Sequence, residues 1–145
     1  PYTTLFRSME EVIRAAGHEN VTAAHESTLE LTSDDYLTPA GDCILGIEAD
    51  RVPADFDPAF VAACQDADSE ITATLSTGDH ETEITGRGHP DMTFENDRSL
   101  VIRTSEYVDD RTIMVGADAA SADLDRDLVD ALASGASVTM RLAVE

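Results

Sequence analysis

The feature that most constrains this chain is that one of its stretches is written twice. Leu45-Gly-Ile-Glu-Ala-Asp50 runs through Asp55-Phe-Asp57 to Phe60-Val61-Ala-Ala-Cys64. Sixty-eight residues later the chain reads Ile113-Met-Val-Gly-Ala-Asp118, Asp123-Leu-Asp125 and Leu128-Val129-Asp-Ala-Leu132. Seven of the twenty paired positions are identical, and most changes at apolar positions exchange Leu, Ile, Val, Phe and Cys, so the core-facing pattern persists where the letters differ. A repeat of this kind marks an internal duplication. A half whose sheet exposes an apolar face needs its twin to cover it, so the expected product is one pseudo-twofold domain.

The same order of elements can be followed outward from that stretch. A first strand over Glu11 to Gly17 is followed by the turn His18-Glu-Asn20. Period-2 alternation from Val21 then puts Val21, Ala23, His25, Ser27, Leu29 and Leu31 on one face of a long strand, with His25 pointing inward. After the loop Ser33 to Gly41 comes a strand over Cys43 to Asp50, with Cys43, Leu45, Ile47 and Ala49 inward. Asp57 and Pro58 carry N-cap and first-turn chemistry, and Phe56 and Val61 occupy the positions of a hydrophobic staple. Glu70 to Ser76 closes the unit as a strand, and Thr77-Gly-Asp-His80 is a tight turn. The series then recurs. Glu81 to Gly88 matches the first strand, and Met92, Phe94, Asn96, Arg98, Leu100 and Ile102 share the apolar parity of the second. Leu124, Asp125 and Val129 repeat the cap and staple, Gly135 ends the helix, and Val138 to Val144 forms the last strand.

The fold class is therefore mainly β within α+β: a strand-strand-strand-helix-strand unit used twice, as a two-layer sandwich, with a closed cradle-loop-type barrel as the alternative. The repeats span 10–76 and 81–144 within a single domain over 9–145. Residues Pro1-Tyr-Thr-Thr-Leu-Phe-Arg-Ser8 match the in-frame translation of a common sequencing adapter, which places the natural start at Met9. No signal peptide follows Met9, and no apolar run approaches the ~18 to 20 residues of a membrane span.

Charge decides the expected habitat and narrows the partners. The chain carries 30 acidic and 9 basic residues, a net charge of -21, and none of the basic residues is lysine. The carboxylates are spread along the chain, which does not suit an acidic tail. Their self-repulsion is screened in molar salt, where the Debye length is about 3 Å. The expectation is a soluble protein of a salt-rich, haloarchaeal cytoplasm. A surface this acidic lacks the basic stripe that neutralises phosphates, so nucleic acid is disfavoured as a partner. Oligomeric state is not readable.

Several residues could carry chemistry. Gly17-His18 and Gly88-His89 recur at matching positions: His18 and His89 could form a metal-binding pair with a divalent metal as cofactor, or simply repeat a hairpin turn. Asp50, Asp55 and Asp57 recur as Asp118, Asp123 and Asp125, a pattern that suits a hard cation but also the start of a helix. The copies differ where the first has His25, Ser27 and Cys43 and the second has Asn96, Arg98 and Arg111. Inward polar groups need partners and a guanidinium needs an anion. One reading is a pocket in which Arg98 and Arg111 hold an anionic ligand opposite His25, Asp42 and Cys43. The other is an internal network, with Arg111 bonded to Asp42 or Asp110 and His25 satisfied by a loop carbonyl. Cys43 follows a carboxylate, which disfavours the thiolate a nucleophile requires, and Cys64 sits on the helix stripe as a core residue. No Walker loop, dinucleotide fingerprint, Cys-x-x-Cys pair or nucleophile elbow occurs.

These residues together resemble the archaeal family called domain of unknown function 371. The resemblance rests on Gly17-His18-Glu-Asn20-Val21-Thr22, on His25 with Thr28 and Glu30, on Leu37-Thr-Pro-Ala-Gly41-Asp42-Cys43-Ile44, on Gly88-His89-Pro90-Asp91, and on Asp110-Arg111-Thr112 with Ala117-Asp118. It implies an archaeal, cytoplasmic, β-rich domain and brings no established activity. Two function classes remain open: a binding module for an anionic small molecule or a metal, with its site between the repeats, and a small hydrolase-type or metal-dependent enzyme using His25, Asp42 and Cys43.

Overall fold

The computed structural model describes residues 9–145; the adapter-like segment Pro1 to Ser8 lies outside them. Each repeat supplies four strands and one helix in the same order. The first has β1 (Met9–Ala16), β2 (Thr28–Thr32), β3 (Ile44–Gly46), α1 (Pro58–Cys64) and β4 (Glu70–Thr77). The second has β5 (His80–Arg87), β6 (Ser99–Arg103), β7 (Thr112–Met114), α2 (Arg126–Ala133) and β8 (Ser137–Val144). The strands form two four-stranded sheets, β1-β8-β4-β5 and β3-β2-β6-β7, so the twofold passes between β8 and β4 in one and between β2 and β6 in the other. The sheets meet at two corners. There Ala16 exchanges backbone hydrogen bonds with Ile47 (2.7 and 2.8 Å) and Arg87 with Val115 (2.9 and 3.0 Å). They nevertheless stay two layers, so the architecture is the sandwich-like α+β arrangement and not a closed barrel.

Alternation accounts for the first sheet. Ile71, Ala73 and Leu75 on β4 and Val138, Met140 and Leu142 on β8 are fully buried on one face, and they join Leu29, Leu31, Leu100 and Ile102 of the second sheet in a core drawn from both repeats. The two-residue turn Gly78-Asp79 joins β4 to β5, with Gly78 at φ +56°, where a residue without a Cβ is favoured.

The helices stand where local chemistry puts them. Asp57 Oδ1 accepts the Ala59 N–H at 2.8 Å and Asp125 Oδ1 accepts the Asp127 N–H at 2.8 Å. At the far end of α2 the Gly135 N–H reaches Leu132 O (3.0 Å) and the Ala136 N–H reaches Ala131 O (3.1 Å), a Schellman termination with Gly135 at φ +97°. Each helix packs on the loop of the other repeat. Phe94 lies 5.9 Å from Phe56 and 6.5 Å from Phe60 between ring centres, while the Arg126 guanidinium donates to Thr22 O and Ala23 O.

One expectation from alternation fails in both copies. The long strands over Val21 to Thr32 and Met92 to Ile102 shrink to β2 and β6, because Ala23 (φ +47°) and Phe94 (φ +53°) adopt left-handed backbone that no strand contains. Val21, Ala23, Met92 and Phe94 are still buried, as anchors of irregular loops. The parity inference therefore fails between the kink and the strand: His25 and Asn96 are only half-buried, and Arg98 is exposed. The third strand is likewise shorter than Cys43 to Asp50, and Cys43, half-buried, precedes it.

Candidate functional site

The six recurrent aspartates have structural work. Asp50 Oδ1 accepts the Arg14 N–H (2.8 Å) and its twin Asp118 Oδ1 the Thr85 N–H (3.0 Å). Asp55 Oδ2 accepts from Val52 N–H and Asp123 Oδ2 from Ala120 N–H, and Asp57 and Asp125 cap helices. No group of three or more His, Cys, Asp or Glu side chains arranged to hold a metal occurs among the described residues.

The Gly-His steps are built as turns. His18 Nδ1 accepts the Asn20 N–H at 3.0 Å and His89 Nδ1 the Asp91 N–H at 3.0 Å. The preceding glycines press against the helix end of the opposite repeat. A Cβ on Gly17 would lie 2.2 Å from Leu132 O, and one on Gly88 would lie 2.0 Å from Cys64 O. Each imidazole thus leaves only its Nε2 edge for any other use.

His25 has a comparable task. Its Nδ1 accepts from the Ser27 N–H (3.2 Å) and the Thr28 N–H (3.1 Å), with Thr28 Oγ1 at 2.9 Å. Its twin Asn96 does the same with an amide oxygen, accepting from the Arg98 N–H at 2.9 Å and the Ser99 N–H at 2.8 Å. The partners of His25 are therefore amides, not the loop carbonyl expected from the sequence. Asp42 O receives the Ala24 and His25 N–H groups, Cys43 O receives the Ser121 hydroxyl, and none of His25, Asp42 and Cys43 lines the cleft that holds the arginines. The Cys43 thiol is pushed up to about 11 by burial and by the neighbouring Glu30 carboxylate, which leaves it protonated at neutral pH and poorly suited to nucleophilic attack. Cys64 is a buried core thiol pushed up to about 12 by burial.

Arg98 and Arg111 do come together, on an open cleft of about 310 Å³. The first repeat lines it with Glu30 from β2 and with Asp34, Tyr36 and Leu37 from the following loop, and the second contributes Asn96, Arg98, Ser99 and Arg111. The cleft lies over the outer face of the β2–β6 pair, where Glu30 stands opposite Val101. Arg98 binds Asp34 through Nε (2.9 and 3.0 Å) and Nη2 (2.7 Å), and this guanidinium holds the Asp34 carboxyl below its ordinary range. The Ser33 N–H and hydroxyl clamp Arg98 O, each at 2.7 Å.

Arg111 pairs with Asp109, not with Asp42 or Asp110. Its Nη2 lies 3.0 Å and its Nε 3.3 Å from Asp109 Oδ2, and its N–H donates to Oδ1 at 3.0 Å. Asp109 also accepts from Arg103 Nη2 at 3.0 Å and from the Thr112 hydroxyl at 3.1 Å. Burial alone would raise the Asp109 carboxyl, but the hydrogen bonds and charge of the two arginines hold it at about 2. Arg103 is nearly buried, with its guanidinium 4.8 Å above the Tyr107 ring. Glu30 completes the group. Burial raises its carboxyl, the Arg111 Nη1 lies 3.8 Å away, and the Cys43 Sγ, at the twin position of Arg111, lies 3.7 Å away.

The alternation placed Glu30 on a solvated face and so hid it; the loops before β3 and β7 cover that face. A signal existed in the repeat: Glu30 pairs with Val101 in the duplicated sequence, the same kind of departure that singled out Arg98 and Arg111. Asp34 and Asp109 carried no such mark, because they lie in loops of unequal length.

The model of DUF371, a domain of unknown function, matches residues 13–145. The chain belongs to the DUF371 family. Among DUF371-like relatives, "Uncharacterized protein MJ0206" of Methanocaldococcus jannaschii is 39% identical over 136 residues, which cover 94% of this chain and 100% of that protein. No helix in this DUF371 chain is long and apolar enough to cross a membrane among the described residues.

Proposed function

We infer that the protein is a small-molecule binding domain whose anionic ligand sits in the cleft between the repeats, on Arg98 and Arg111. One observation carries the reading. Three departures from twofold symmetry that change the role of a residue meet at this cleft: Glu30 for Val101, Arg98 for Ser27 and Arg111 for Cys43. A scaffold that keeps its caps, turns and core in duplicate while changing three roles around one open polar recess has the character of a binding site there.

The strong negative charge of the whole chain opposes anion uptake at long range, but screening in concentrated salt confines that repulsion to a few ångströms, about 3 Å at 1 M. In this reading the acidic composition belongs with a salt-rich archaeal cytoplasm, and the local guanidinium pair supplies the attraction. The metal reading of His18 and His89 has less behind it, since each ring spends its Nδ1 on its own turn. The enzyme reading has less still, because the Cys43 thiol stays protonated.

The test is titration of inorganic phosphate, alkyl phosphates and short carboxylates at fixed ionic strength, followed by calorimetry, with Arg111→Met beside the wild type. Saturable binding that Arg111→Met weakens at least about tenfold is the expected result. Binding that ignores the substitution sinks the proposal.

A further inference from the structure

An anion seat has no need of Glu30. Its side chain is only 14% exposed, yet no charged donor is within hydrogen-bonding distance: Arg111 Nη1 stands at 3.8 Å, the Cys43 thiol at 3.7 Å is a weak donor, and the Ser99 hydroxyl beside it is a neutral one. Arg111 spends its Nε and Nη2 on Asp109, which leaves Nη1 as the donor it can offer a ligand. A carboxylate buried without good donors costs free energy, and the rise of its proton affinity on burial expresses that cost. The acid nevertheless lines the open cleft, where a ligand can supply the missing donor.

The charges around the recess are mixed. Arg98, 61% exposed on its side chain, keeps solvent-facing surface while bound to Asp34. Arg111, 39% exposed, also faces the cleft, with Glu30 beside it. A purely anionic ligand placed on these guanidiniums would bring its charge within a few ångströms of Glu30 and be repelled. A ligand with a positive N–H donor next to its anionic group would turn the same carboxylate into a partner.

We propose that the ligand of the cleft is zwitterionic, its anionic group held by Arg98 and Arg111 and its ammonium donating to Glu30. The proposal rests on the reading of the cleft as an anion site and adds the second charge. Glu30 then acts as a specificity residue, distinguishing amino-bearing anions from alkyl ones of the same size.

The experiment pairs ligands that differ only in the amine: O-phosphoethanolamine with ethyl phosphate, and β-alanine with propionate, titrated into the full chain at fixed ionic strength and neutral pH. For at least one pair the amine-bearing member should bind about tenfold or more tightly in the wild type. In Glu30→Gln the preference should fall to near unity through loss of affinity for the amine, with the alkyl anion bound as well or better. Glu30→Asp should keep part of the preference, and circular dichroism checks that both variants fold. Equal binding within both pairs, or a preference that persists in Glu30→Gln, overturns the zwitterion proposal while leaving the anion site standing. If no member of either pair binds, both readings fail together.

Discussion

Replacing His25 by asparagine should leave stability almost unchanged, while replacing it by alanine should not. The expectation comes from the twofold. At the equivalent position Asn96 accepts two backbone N–H groups through Oδ1, at 2.9 and 2.8 Å, and His25 accepts the corresponding two through Nδ1, at 3.2 and 3.1 Å. Asparagine can offer the same acceptor from the same backbone geometry, whereas alanine offers none. A hydrogen bond of this kind contributes roughly 0.5 to 1.5 kcal/mol net. The Ser27 N–H is exposed and can turn to water, so the Thr28 N–H and the lost packing of the ring dominate. The cost of His25→Ala is then about 1 to 2 kcal/mol, similar to removal of a helix cap. For a chain of this length that amounts to roughly 3 to 8 °C in the thermal midpoint. Asn96→Ala should lose the same amount, and His25→Asn should fall within about 0.5 kcal/mol of the wild type, the usual scatter of neutral substitutions. Thermal and urea unfolding monitored by far-UV circular dichroism measure all three. Equal damage from His25→Asn and His25→Ala would refute the acceptor role and turn attention to the other ring nitrogen.

Three further outcomes follow from the same geometry. Gly17→Ala and Gly88→Ala each drive a Cβ into a helix-end carbonyl, at 2.2 Å from Leu132 O and 2.0 Å from Cys64 O, and should cost about 3 kcal/mol or more in urea unfolding, whereas Gly78→Ala, with open space and only a positive φ to resist it, should cost about 1 to 2 kcal/mol. Stability should show two opposed acid responses. Asp109, held at about 2 by its arginines, contributes about 2 kcal/mol that is present above its unfolded value near 3.8 and lost as pH falls through 2; Asp109→Asn should therefore weaken the protein at neutral pH and flatten that limb. Glu30, raised by burial, contributes stability that is complete below its unfolded value near 4.5 and lost as pH rises through its higher folded value, so Glu30→Gln should gain stability at neutral pH and lose the advantage below about pH 4. The double substitution His18→Asn with His89→Asn should keep the fold and leave metal content after purification unchanged, because asparagine can accept the Asn20 and Asp91 N–H groups in the same way; stoichiometric metal lost on this change would revive the paired-histidine site.

Much of the architecture is legible because its causes are local. Asp57-Pro58 and Asp125 start helices, Gly135 stops one, and Gly78-Asp79 turns a hairpin, each through contacts within a few residues. The alternation in Val21 to Thr32 misleads for the same reason that it is readable: burial of Val21 and Ala23 is real, but it belongs to a loop kinked at Ala23, and burial by itself does not report φ. The site is less legible because its partners are distant or sit in loops of unequal length. Arg98 finds Asp34 across 64 positions, and Arg111 turns to Asp109 in the shortened loop, not to the acids nearer in the alignment.

A difference between the copies is therefore informative only after the role of each residue is compared. His25 and Asn96 differ in chemistry and perform one task, so their difference marks no site. Glu30 and Val101 occupy one position and perform opposite tasks, one a half-satisfied carboxylate facing a cleft and the other an apolar contact. Arg111 and Cys43 diverge in the same way, and both reach toward that carboxylate. Duplication supplies the scaffold twice, and Arg111 and Cys43, whose roles have parted, stand beside a third residue that has left its inherited role, Glu30. We therefore place the proposed site on the β2–β6 face and its loops, not on the repeated acidic stretch that first draws the eye.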